Sequence, residues 1–269
     1  MTKRMLFDTD TFYLIDHWLI AFVMIVLLLT ACEIGYRLGL AQERAPDSLR
    51  ALMTGIGGAV LGLLGLLLGF ALSMAISRWD DRRAIIIQEA NAIGTLSLRA
   101  ALLAEPLPAE LREALSAYTQ ARVALGGSRD SPELLRAARS ESEEIHAAIW
   151  SVVERANVPS TANAVLASLI SAANEVIDLH EMRLASLQNH LPAQLYYLLL
   201  TLAALALGFL AWGFGAASHR GRAPMILLAI LIGAVLLLIM DVNRPQRGMI
   251  VVGVASLERV EDSIATPMR

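Results

Sequence analysis

Long uncharged stretches at both ends of the chain are its clearest pattern. No charged side chain occurs in residues 51–77, 191–218 or 223–240, and residues 12–32 form a less uniform apolar stretch. A helix needs about 20 mostly apolar residues to cross the hydrocarbon core of a bilayer. The pattern therefore predicts four membrane-spanning helices, at about residues 12–32, 51–77, 192–218 and 223–241.

The segment between the two pairs of spans has the periodicity of soluble helices. Leu111, Leu115 and Tyr118 fall on one helical face, and prolines and a Gly-Gly pair separate this stripe from those before and after it. The sequence therefore predicts an all-α, multi-pass membrane protein with a 2+2 arrangement of spans and an inserted helical bundle. Its predicted parts are an N-terminal membrane hairpin (1–77), the extramembrane bundle (78–190), a C-terminal membrane hairpin (191–241) and a C-terminal tail (242–269).

The composition and motifs of the chain argue against several classes of function. The chain is 56% hydrophobic and 17% charged, and its net charge of −3 gives no electrostatic argument for binding nucleic acid. Cys32 is the single cysteine, so an internal disulfide is impossible. No nucleophile motif or phosphate-binding loop occurs, and the spacing of Glu143 and His146 is better explained by a solvated helix face than by a metal pair. We expect no enzyme activity, no cofactor and no metal.

Small residues recur along one stripe of the second span. Packing against another helix is the common use of such a stripe, and pore lining is the alternative; both uses can occur together in an oligomer. Phe70, the aromatic residue near the stripe, is included in the predicted pore-lining or packing face. The residues of the stripe are Gly58, Gly62, Gly65, Gly69, Ser73 and Ser77.

Charged and polar residues after the second span suggest further roles. Arg78 and Arg82 are expected to anchor the span at the membrane interface or, in a channel, to form a cationic pore mouth that favours anions. A buried polar cluster is predicted from Glu89, Asn91, Asn174 and Glu175. At the exit of the fourth span, Asp241 is expected to pair with Arg244 or Arg247.

Four segments of the chain resemble a known family. They are residues 73–80 (SMAISRWD), residues 88–95 (QEANAIGT), Arg183 with residues 189–192 (NHLP), and residues 241–248 (DVNRPQRG). Together they are similar to the bacterial DUF4239 family, also labelled bestrophin-like domain. The resemblance covers nearly the whole chain. It implies the plan of bestrophins, which are pentameric anion channels whose second span lines the pore. The sequence departs from bestrophins in its glycine-rich stripe and in lacking a match to their acidic calcium clasp.

Two functional hypotheses follow. The first is an oligomeric, bestrophin-like anion channel, with the bilayer, further copies of the chain and small anions as partners. The alternative is a non-conducting membrane-anchored sensor or scaffold whose helical insert binds a partner. The resemblance to a bacterial family implies the bacterial inner membrane. Basic residues near the spans favour an insert and both termini on its cytoplasmic side.

Overall fold

The computed structural model describes residues 17–42, 45–127, 132–217, 222–244 and 250–266. These residues form eight helices and no strand, which confirms the all-α prediction. The helices are α1 (His17–Leu40), α2 (Asp47–Ala100), α3 (Leu107–Gly127), α4 (Pro132–Arg155), α5 (Asn163–Gln188), α6 (Ala193–Ala216), α7 (Arg222–Val242) and α8 (Ala255–Ala265).

Four stretches of helix are long and apolar enough to cross a membrane, and they lie in α1, α2, α6 and α7. The prediction of four spans is therefore confirmed. Helix α1 continues past residue 32, the predicted end of the first span, to Leu40, and Glu33 and Arg37 form an ion pair of 2.6 Å one helical turn apart in this extension. Residues 12–16 of the predicted span lie outside the described residues.

The longest helix, α2, joins the second span to the insert without interruption. Its 54 residues correspond to about 80 Å of helix. No glycine or proline interrupts residues 70–93, so nothing in the sequence breaks the helix between span and insert. Residues 47–77 of α2 belong to one compact unit and residues 78–100 to another.

The first compact unit, the membrane unit, comprises residues 1–77 and 190–244. Glycines set the approach of α1 to α6: a Cβ atom at Gly35 would collide with the backbone of Gly208, and one at Gly39 would collide with the carbonyl oxygen of Trp212. Small residues four apart allow two helix backbones to come this close. The close packing of α1 against α6 therefore depends on glycines of the first and third spans.

The second compact unit, the helical unit, comprises residues 78–189 and 245–269. Its apolar core is built from the second half of α2 with α3, α4, α5 and α8. The segment predicted as a tail contributes α8, whose Leu257 and Ile264 are buried in that core. Leu257, Val260 and Ile264 recur at i, i+3 and i+7, the spacing of an amphipathic helix.

Candidate functional site

The small-residue stripe of α2 is open along its length. A Cβ atom added at Gly58, Gly62, Gly65 or Gly69 would meet no atom of the described residues within 4 Å. Ser73 and Ser77 are exposed as well. Packing within the described part of one chain therefore does not account for this stripe.

The opposite face of the same helix segment is packed. Leu64 and Ala71 are fully buried, and Leu68 is nearly so. On this face a Cβ atom at Gly57 would lie 3.0 Å from the Cβ atom of Phe209. The span thus has one face packed within its own unit and a second, glycine-rich face that no described residue covers. Phe70 lies to one side of the stripe and is 59% exposed.

The structure corrects the predicted role of Arg82. Its side chain is 3% exposed, and its Nε and Nη2 atoms donate to the carbonyl oxygens of Ser186 and Asn189, at 3.2 and 2.8 Å. The last carbonyls of a helix lack partners in the helix and carry partial negative charge. Arg82 therefore caps the C-terminus of α5. Arg78 is half-buried and donates to the Asn189 side chain, with Nε 3.4 Å from Oδ1.

Two other charged residues continue the line of the stripe. Asp80 and Arg83 are both exposed. At 3.6 residues per turn, Arg83 comes about five turns after Gly65, and Asp80 about three turns after Gly69, so both fall in register with the glycines. The predicted pore mouth, Arg78 and Arg82, did not include these two residues, although the helical register counted from the glycines was a signal for them.

Glu89 is the centre of a buried charged cluster in the helical unit. Its carboxylate is fully buried and accepts hydrogen bonds from Arg122 and Arg183, with Nε–Oε1 and Nη1–Oε2 distances of 2.7 Å. The Tyr118 hydroxyl also donates to Glu89 Oε1, at 2.9 Å. Three helices, α2, α3 and α5, thus converge on one carboxylate.

Two histidines extend this cluster. His180 is buried, with Nδ1 3.4 Å from the Tyr118 hydroxyl oxygen. His146 is half-buried, and its ring meets the His180 ring edge-on with centroids 4.6 Å apart. The prediction that His146 lies on a solvated helix face is therefore wrong for this side chain. Glu143 is exposed, and the described residues contain no group of three potential metal ligands.

Burial and neighbouring charges together shift the pKa values of the cluster. Burial alone raises the pKa of the Glu89 carboxyl, but Arg183 and Arg122 outweigh it and hold that pKa below its usual value. Burial, reinforced by Arg122, lowers the pKa of His180 to about 3 and lowers that of His146. Burial and Glu89 raise the pKa of Tyr118. At neutral pH Glu89 is therefore ionised, and both histidines and the tyrosine are neutral.

The predicted polar cluster is corrected in three of its four members. Glu89 is buried, whereas Asn91, Asn174 and Glu175 are exposed. Asn91 comes two residues after Glu89, which places it on a different face of α2. The partners of Glu89 are instead Arg122 and Arg183, which the sequence analysis did not assign to the cluster.

The exit of the fourth span is buried. Asp241 and Arg244 are 3% and 2% exposed, and the backbone N–H of Arg244 donates to the carbonyl oxygen of Asp241 at 3.0 Å. Between them, the Asn243 side chain accepts a hydrogen bond from the backbone N–H of Leu191 at 3.3 Å. Arg247, the other predicted partner of Asp241, lies outside the described residues.

The comparisons with known proteins decide the family. A family model described as "Bestrophin-like domain" matches residues 20–257. The chain belongs to the bestrophin-like family. No curated protein matches it. The bestrophin-like assignment agrees with the resemblance carried by its four sequence segments. The third of these segments contacts two others: Arg183 pairs with Glu89 of the second, and the backbone N–H of Leu191 donates to Asn243 of the fourth.

Solved structures show the same fold. Crystal structures of variants of a bacterial bestrophin homologue from Klebsiella pneumoniae are similar to this chain. One has a TM-score of 0.67 at 14% sequence identity, and the matched region covers 90% of this chain and 97% of the Klebsiella chain. A second has a TM-score of 0.67 at 13% identity, and the match covers 91% of this chain and 99% of the other. A third has a TM-score of 0.64 at 15% identity, and the match covers 90% of this chain and 97% of the other. The bestrophin-like chain is thus an integral membrane protein of the bestrophin fold.

Proposed function

We propose that this bestrophin-like protein assembles into a homo-oligomeric anion channel in the bacterial inner membrane, with the glycine face of α2 lining the pore. The observation that carries this proposal is the open stripe of four glycines, opposite a packed face of the same helix. A helix that crosses the membrane with one small, unpacked face is suited to surround a central axis in several copies. Water can approach the backbone closely along such a face.

The charges that follow the stripe define the proposed pore mouth. Arg83 replaces the predicted Arg82 as the arginine in register with the glycines, and Asp80 lies about one turn before it. A ring of arginines attracts anions, and a ring of aspartates opposes them. We infer that the selectivity of the pore depends on the balance between these two rings. The helical unit and both termini lie on the cytoplasmic side in this proposal.

A second candidate is a non-conducting sensor or scaffold, favoured by a groove on the helical unit. This open groove has a volume of about 770 Å³ and combines apolar and acidic side chains. Leu179 and Met182 supply apolar surface, and Glu175 and Asp178 supply negative charge. An amphipathic basic helix of a partner protein would fit this chemistry.

Chloride efflux from liposomes tests the channel and separates the two candidates. The wild-type protein should release chloride faster than empty liposomes, and Gly65→Leu should abolish the release because each subunit would add a bulky side chain to the pore. Leu63→Phe is the matched control: it adds bulk at an exposed position about 160° around the helix and should leave efflux unchanged. No efflux from folded oligomeric protein would favour the scaffold, and a strictly monomeric protein would contradict the channel.

A further inference from the structure

Arg122 is a buried cation whose terminal nitrogens have no partner in the described part of the chain. The side chain is fully buried, and its Nε donates to Glu89. Its Nη1 and Nη2 atoms are also buried, and neither has a hydrogen-bond acceptor among the described residues. Burying a charged group without hydrogen bonds costs free energy. The buried Nη donors therefore point to an acceptor other than the described residues of the chain.

The cluster around Arg122 also carries excess positive charge. Arg122 and Arg183 contribute two positive charges, and Glu89 contributes one negative charge. Tyr118, His146 and His180 are neutral at neutral pH, as argued above. Among the side chains that the structure describes, the other acids near the histidines are Glu143 and Glu181, and both are exposed to solvent. The described buried residues of the cluster therefore carry a net charge of +1.

His146 supplies a further donor position and a route to the surface. Its Nε2 atom is buried without a hydrogen-bond partner among the described residues, while the side chain as a whole is half-buried. Its ring packs against the rings of His180 and Tyr118, with centroid distances of 4.6 and 5.2 Å. The Arg122 guanidinium lies 5.8 Å from the centroid of the same Tyr118 ring. These groups form one continuous cluster that ends at a partly exposed imidazole.

We propose that Arg122 and His146 bind a small monovalent inorganic anion of the halide class inside the helical unit. Such an anion accepts hydrogen bonds from the Arg122 Nη atoms and from the Nε2–H of a neutral His146, and it balances the excess charge. Water could accept the same hydrogen bonds but would leave the charge uncompensated. The site is distinct from the pore proposed above, and it stands whether or not the protein conducts.

Ion-specific stabilisation of the full-length protein tests this site. The unfolding temperature is measured at pH 7.5 in sodium chloride, sodium bromide and sodium gluconate at equal ionic strength. Chloride and bromide should raise it saturably by at least a few degrees over gluconate, because a ligand that binds the folded state stabilises it. Equal unfolding temperatures in the three salts would overturn the proposal.

Variants then locate the effect. Arg122→Gln and His146→Phe should each remove the halide dependence, whereas Arg155→Gln, which removes an exposed arginine of the same unit, should retain it. Glu181→Gln removes a negative charge near the site and should lower the chloride concentration at half-effect by about twofold or more. A halide dependence that persists in both Arg122→Gln and His146→Phe would place the bound ion elsewhere and overturn the assignment.

Bromide anomalous scattering gives a readout that needs no variant. In crystals of the wild-type protein grown with sodium bromide, an anomalous peak is expected beside the Arg122 Nη atoms and His146 Nε2. Electron density there without an anomalous signal would identify water and overturn the proposal, even if Arg122→Gln fails to fold.

Discussion

Glu89 and Arg183 are 94 residues apart in the chain, and their side chains form a buried ion pair with an Nη1–Oε2 distance of 2.7 Å. Arg122 binds the other oxygen of the same carboxylate. This arrangement ties α2, α3 and α5 together at one point of the helical unit. Removing one member of a buried ion pair leaves its partner charged and unpaired, so this carboxylate has a large influence on stability.

The first prediction concerns Glu89→Gln, which should lower the free energy of unfolding by about 3–5 kcal/mol because two buried guanidinium groups would face a neutral amide. Glu110→Gln is the control, since Glu110 pairs with Arg155 at the surface. That substitution should have no measurable effect, because exposed ion pairs contribute little. Denaturant unfolding of the purified protein measures both. Similar losses in the two variants would contradict the buried cluster.

The second prediction concerns mildly acidic pH. The pKa of His180 is lowered in the folded state to about 3, from the ordinary value of 6.5, so the unfolded chain binds the proton first as pH falls. Stability should therefore decline from about pH 6.5 towards pH 3, with a slope of up to about 1.4 kcal/mol per pH unit for this group. His146 acts in the same direction.

Unfolding measured between pH 5 and pH 7.5 checks this dependence. That range lies above the ordinary pKa of a glutamate, so Glu89 stays ionised in both states. His180→Phe should flatten the profile relative to the wild-type protein. Parallel profiles for the two proteins would show that His180 is not the titrating group.

The third prediction separates two kinds of glycine in the membrane unit. Gly35→Ala should destabilise the protein by about 2 kcal/mol or more, because the new Cβ atom would meet the rigid backbone of Gly208. Gly58→Ala adds the same methyl group where no described atom lies within 4 Å, so it should be tolerated. Thermal unfolding and size-exclusion profiles in detergent compare the two. A tolerated Gly35→Ala would contradict the close approach of α1 to α6.

The fourth prediction concerns ion selectivity. Arg83→Gln should lower the ratio of chloride to sodium permeability, and Asp80→Asn should raise it. Each change should be roughly fivefold, which corresponds to about 1 kcal/mol for one charge near an aqueous pore. Reversal potentials in asymmetric sodium chloride give the ratio. Unchanged ratios in both variants would remove these residues from the ion pathway, and Arg78→Gln would then be the next variant.

The fold followed from the sequence because long apolar helices have few alternatives in a membrane. The uncharged residues 51–77 and 191–218 required spans, and the apolar stripe through Leu111, Leu115 and Tyr118 required a packed helix. The apolar stretch ends at residue 32, and its pattern did not show that helix α1 continues to Leu40 through Glu33 and Arg37, which form an ion pair one turn apart.

The site was less predictable because buried polar groups are placed by tertiary packing. Arg122 follows Tyr118 by four residues on the apolar face of α3, and this position was the available signal that the arginine is buried. Its partner Glu89 lies on another helix, so the spacing within either helix could not show the pair. Similarly, the glycine stripe signalled a special helix face, but the sequence alone could not show whether that face was already occupied.

Cysteine accessibility along α2 tests the central claim most directly. Cys32 is the single native cysteine and is buried, so a Cys32→Ala protein provides a background for Gly65→Cys and, as control, Leu63→Cys. A charged, water-soluble thiol reagent is applied while chloride current is recorded in a planar bilayer. The pore assignment predicts rapid block of Gly65→Cys and no effect on Leu63→Cys. Current that is unchanged in Gly65→Cys despite full labelling, or that is blocked only in Leu63→Cys, would contradict it.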